Sequence, residues 1–112
     1  MLKLLLTVKI SKAGRKEGQA HSLVHRPILW PVCPRIGEAF WVSKTTDYFF
    51  DVIRVAHWPA GDEIEISFET DNIDDLTNLL GEENGGWLNG DEPGVCANMA
   101  WPTPEDHPTA TV

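Results

Sequence analysis

The sequence predicts a mainly β domain, a β-barrel or β-roll of SH3-like or OB-like size with one short α-helix around residues 72–80. Three observations carry that expectation. Residues 2–10 alternate apolar and polar with period two. Residues 48–58, YFFDVIRVAHW, form a long β-branched and aromatic run. Residues 63–70, EIEISFET, alternate again behind a Pro59-Ala60-Gly61 turn.

The first strand is the clearest. Leu2, Leu4, Leu6, Val8 and Ile10 share one face, with Lys3, Leu5, Thr7 and Lys9 on the other. Residues 11–20 hold two glycines and four charged side chains and read as a loop. HSLVH at 21–25 begins a second strand. Pro27, Pro31 and Pro34 remove backbone donors, so the continuation to Val32 is expected as an edge-like wrap and not a central strand. After the Arg35-Ile36-Gly37 turn, residues 38–43 set Phe40 and Val42 opposite Ala39 and Trp41. Residues 44–47 turn the chain into the run at 48–58. There Tyr48, Phe50, Val52, Ala56 and Trp58 face one way, and Phe49, Ile53 and Val55 the other. Two apolar faces predict a central strand covered on both sides. The segments from 38 to 70 make a three-stranded meander, and outward Glu63, Glu65 and Glu69 discourage edge-to-edge aggregation.

Asn72 is a helix N-cap, and Asp74 and Asp75 stand in the first turn, where the helix dipole favours anions. Ile73, Leu76, Leu79 and Leu80 form an apolar stripe that ends at Gly81. So short a helix must dock on the sheet to persist, and it is the expected cover for the second face of the central strand. Residues 82–94 read as loop, and 95–101 as a last short strand or wrap. The domain is expected over 1–101. Residues 102–112, with three prolines, read as a disordered tail.

The chain of 112 residues carries a net charge of −8. That balance opposes general nucleic-acid binding. The charge is uneven: residues 1–35 hold seven Lys or Arg against one acid, and the remainder two against sixteen. A basic first strand beside acidic strands would neutralise the halves. Two cysteines, Cys33 and Cys96, are too few for an extracellular disulfide framework, so a cytoplasmic protein is expected. The apolar run in MLKLLLTVKI is too short for a signal peptide or a membrane span.

No catalytic, metal or cofactor site is expected. His21, His25, His57, Cys33 and Cys96 are suitable zinc-ligand types, but no metal-ligand spacing accompanies them. Asp71, Asp74 and Asp75 lack the order of a calcium loop. Phosphate loops and nucleophile elbows are absent. Five tryptophans are the compositional excess. Trp41 and Trp58 lie in strands and are expected in the core. Trp30, Trp87 and Trp101 lie in Pro- or Gly-rich segments, either pinning loops to the sheet or acting as partner-binding anchors. Lys12, Arg15 and Lys16 join them as candidate contacts.

The expected function is a small non-catalytic protein-binding domain of inhibitor, immunity or adaptor type, whose acidic face meets a basic protein. One alternative is nucleic-acid or carbohydrate binding through the basic 9–16 loop and the loop tryptophans. Another is a small zinc-dependent enzyme. An exposed strand edge, with 2–10 the first candidate, would also suit a homodimer.

Overall fold

Aliphatic alternation at Leu4, Leu6, Val8 and Ile10 folds as β1 (Leu2–Ile10), in a computed structural model that describes residues 1–11, 22–42, 49–58, 62–82, 86–90 and 101. The expected loop at 12–20, the turns at 44–47 and 59–61, the wrap at 95–100 and the tail at 102–112 lie outside the described residues.

β1 is the central strand. It pairs antiparallel with β2 (Leu23–Trp30), from Leu2 opposite Trp30 to Lys9 opposite Leu23. On its other side it pairs parallel with β6 (Glu63–Thr70), from Lys3 beside Glu63 to Ile10 beside Thr70. β5 (Arg54–Trp58) extends the sheet beyond β6, and β7 (Leu88–Asn89) extends it beyond β2, giving the order β5-β6-β1-β2-β7. The β1–β6 register sets Lys3 beside Glu63 and Lys9 beside Glu69 on one face. Basic and acidic stretches of the chain thus meet in adjacent strands, where opposite charges attract.

β2 runs straight through Pro27 to Trp30, so the expected wrap is a strand. Proline is tolerated there because β7 opposes only Val24 and His25, leaving the β2 edge at Pro27 without a strand partner among the described residues.

The core lies on one face of this sheet. Leu4, Leu6, Val8, Val24, Ile66 and Phe68 are almost wholly buried there. Two elements cover them. One is a two-stranded sheet of β3 (Ala39–Trp41) and β4 (Phe49–Asp51), which sends Val42, Val52, Phe40 and Phe50 inward. The other is α1 (Ile73–Leu80), whose Leu76 and Leu79 are fully buried and which packs on β1 and β2. Helix and small sheet therefore share one layer, and the helix packs on β1 and β2, not on the expected central strand at 48–58.

The run at 48–58 is two strands, not one central strand. β4 pairs with β3; β5 pairs with β6 and ends the sheet. The junction is a one-residue bulge. The Ile53 N–H donates to the Ser67 carbonyl at 2.9 Å, while Arg54 is the register partner of the same Ser67. Two residues oppose one, which bends a strand and shifts its parity. Phe50 and Val52 face inward before the bulge and Val55 after it, and Ile53 and Arg54 both point out. The meander order from 38 to 70 survives, divided between two sheets.

The acidic residues near α1 have structural partners. Asn72 caps the helix by accepting from the Asp74 N–H at 3.0 Å. Ser11 donates to Asp71, and Thr70 to Asp75. These bonds tie the end of β1 and the end of β6 to the helix start.

Beyond β7 the chain passes close to β2. A Cβ built on Gly90 would lie 2.9 Å from Cδ2 of His25 and nearer still to Leu23. The Gly90 N–H donates to the Leu23 carbonyl at 3.0 Å, so the backbone cannot easily retreat. Gly90→Ala is therefore expected to cost about 1–3 kcal/mol in urea unfolding, the usual range for overpacking.

Candidate functional site

An open apolar surface is built on β3. A strand that covers a core with one face leaves the other to water. Phe40 and Val42 point inward, so Ala39 and Trp41 point out. Across the ladder Trp41 faces Phe49, and Ala39 faces Asp51. The rings of Trp41 and Phe49 stack with centroids 5.1 Å apart and planes at 31°. Both remain largely in solvent, at 61% and 52% exposure.

Beside this pair lies a groove of about 320 Å³ lined by Trp30, Val32, Pro34, Glu38, Ala39, Phe40 and Trp41. One wall is the segment after β2, where Pro31 and Pro34 fix the backbone. Trp30 at the end of β2 packs on Phe40 at 5.3 Å, and Phe40 packs on Phe68 at 5.9 Å. The groove floor thus rests directly on the core. Its rim is set by a turn in which the Glu38 N–H donates to the Arg35 carbonyl at 3.0 Å. Gly37 takes φ +91 there, a left-handed conformation that glycine adopts without strain. The turn presents Ile36 at 68% exposure.

Charge at the groove is acidic. The Glu38 carboxylate accepts from the Arg35 N–H at 2.6 Å and from Arg35 Nε at 3.3 Å. Such an exposed pair contributes little and exchanges readily for another cation. Asp51 sits on the same outer face across from Ala39. The volume lies near the lower end of the roughly 300–1,000 Å³ range of small-molecule pockets. It suits a few side chains of an extended segment.

Comparison with known proteins finds no matching family model, no matching curated protein and no matching solved structure.

The structure distributes the sequence-predicted contacts widely. Trp30 is half-buried and lines the groove. Trp87 is only 7% exposed and belongs to the core, so it offers no surface anchor. Trp101 is half-buried, with Lys3 Nζ 5.9 Å from its ring centroid. Lys12, Arg15 and Lys16 lie outside the described residues. Trp41 and Trp58, expected in the core, are 61% and 55% exposed. Trp41 is outside because, among the described residues, no layer covers the outer face of the small sheet. Trp58 is outside because the bulge shifts the parity of β5. Trp41, which lines the groove, and Phe49 beside it are the exposed aromatic pair that the sequence reading misses. The signal was Asp51, which alternates with Phe49 and marks that face as solvated.

A second polar constellation crosses the opposite face of the main sheet. The Thr7 hydroxyl donates to Glu65 at 3.0 Å. His25 Nδ1 lies 2.9 Å from the same oxygen, so its N–H donates to Thr7. Thr7 and His25 are 6% exposed, and the relay links β6, β1 and β2. Among the described residues no three His, Cys, Asp or Glu side chains group to hold a metal ion, and no helix is long and apolar enough to cross a membrane.

Proposed function

We propose that this chain is a small non-catalytic binding domain, of adaptor or inhibitor type, whose groove takes an extended apolar segment of a basic partner protein. The observation that carries the reading is the Trp41–Phe49 stack, held in solvent beside the Trp30–Phe40 groove. Large apolar residues gathered on one exposed surface mark interaction sites, and tryptophan dominates binding hot spots. Aromatic grooves of this kind favour proline-containing segments, whose preformed extended backbone loses little entropy on docking. Glu38 and Asp51 at the rim, in a chain of net charge −8, favour Lys or Arg next to the apolar residues. Its two cysteines favour action in the cytoplasm.

The test is a synthetic peptide array in which Arg or Lys stands near Pro, Leu or Val, compared with the same array carrying Glu at the basic positions. Basic peptides should bind, and binding should weaken as salt rises. Trp41→Ala should weaken them by about 30-fold, equivalent to roughly 2 kcal/mol at a hot spot. It should shift unfolding stability by only about 1 kcal/mol, because the ring is exposed. Equal binding of the acidic peptides, or full binding by Trp41→Ala, would remove the groove from consideration.

A further inference from the structure

We propose that β5 pairs with β5 of a second copy, antiparallel about a two-fold axis at Ala56, joining two sheets edge to edge. β5 ends the five-stranded sheet and has β6 on one side only among the described residues. The cover provided by β3 stops short of it: the last bonds run between Val52 and the Gly37–Glu38 turn. Arg54, His57 and Trp58 are exposed, and Val55 and Ala56 half-buried. An end strand is normally protected by proline, lysine or inward charge. β5, with the sequence RVAHW, has no proline or lysine. It also has no Asp or Glu, in a chain with seventeen.

The occupant is a second copy because the strand complements itself. A two-fold axis at the middle residue sets Arg54 against the partner's Trp58, and Trp58 against the partner's Arg54. Both lie on the face shared with Ser67 and Glu63, their β6 partners. A guanidinium on an indole face is favourable. On the other face Val55 meets the partner's His57. The axis passes between two alanines, the smallest side chains on the strand, which permits close approach. Such an isologous contact closes at two copies and uses the β5 edge of both. The earlier candidate edge at 2–10 is excluded, since β1 is paired along both sides. Opposing the contact is repulsion between two chains of net charge −8, so association should strengthen with salt.

Sedimentation equilibrium of the full chain tests this. The dimer fraction should rise with protein concentration and rise again from about 0.02 M to about 0.3 M salt, as the screening length shortens. Arg54→Glu should weaken association at least tenfold. Register is read by cross-linking in a Cys33→Ser/Cys96→Ser background whose fold is checked by circular dichroism. Ala56→Cys puts two Cβ atoms about 4.5–5.5 Å apart across the axis and should oxidise to a covalent dimer. Trp58→Cys leaves its two sulfurs four positions out of register, roughly 13 Å apart, and should not. A chain that stays monomeric at about 1 mM overturns the proposal. So does a dimer indifferent to Arg54→Glu, or one that cross-links equally at both positions.

Discussion

Phe68→Ala is expected to lower the unfolding free energy by about 3–5 kcal/mol, the range for removing a buried phenyl ring. Phe68 is 0% exposed. It stands where the two sheets meet, with Phe40 at 5.9 Å and Phe50 at 6.5 Å between ring centroids. Those two rings are the inward face of β3 and β4, so Phe68 is the main anchor of the small sheet on the large one. A three-residue ladder has little stability of its own. Losing the anchor should therefore loosen the groove as well as the core. A domain of this size has about 5–15 kcal/mol in total, so Phe68→Ala should still fold in the cold with its urea midpoint roughly halved. Peptide binding should fail before unfolding does. Phe68→Leu, which keeps most of the volume, should cost about 1.5 kcal/mol or less and retain binding. A loss under about 1 kcal/mol for Phe68→Ala would show that the small sheet is held some other way.

Local pattern carried the elements further than the pairing. Alternation at 2–10 and 63–70 identified β1 and β6 with their correct faces, and the Asn72 cap with its leucine stripe located α1 within a residue. These features are decided by neighbours a few positions away. The parallel pairing of β1 with β6 joins residues some sixty positions apart, and period two alone is satisfied by any partner. A clue existed in charge: Lys3 and Lys9 match Glu63 and Glu69 in spacing. The bulge at Ile53–Arg54 was the costliest omission. Continuous alternation through 48–58 puts Trp58 on the face of Phe50 and Val52, whereas Arg54 already breaks the apolar pattern of that face and Asp51 that of the other. Pro27 misled in the opposite direction, because a proline excludes a strand only where its missing N–H would have faced a partner. The groove was half legible. Trp30 stands out beside its prolines, but Trp41 reads as core because alternation in a strand does not show whether a layer covers its second face.

Arg26 and Glu82 should respond to substitution with unequal effect. Arg26 projects from β2 into the core face beside Leu6 and is only 8% exposed. Its Nη1 donates to the Val42 carbonyl at 3.4 Å. Gly86 packs against its stem, where a Cβ would stand 3.6 Å from Nε. Burial pushes its pKa below the ordinary arginine value, and the Glu82 carboxylate pushes it back up. A base lowered in this way is destabilising in its charged form. Arginine remains charged at every pH where the chain is folded, so no pH window relieves the cost and the carboxylate must offset it. Glu82 is half-buried and Arg26 is buried. Removing the acid strands a buried cation; removing the cation leaves an acid that is only half-buried. Glu82→Gln should therefore cost about 2–3 kcal/mol, somewhat under the range for fully buried pairs. Arg26→Met, which keeps the stem volume, should change stability by about 1 kcal/mol or less in either direction. The double substitution should resemble Arg26→Met alone, giving a coupling of about 2–3 kcal/mol in a urea-unfolding cycle. Additive effects would mean that the two side chains do not sense each other. A larger loss for Arg26→Met than for Glu82→Gln would mean that arginine serves mainly as the donor to Val42, bracing β3 against the sheet.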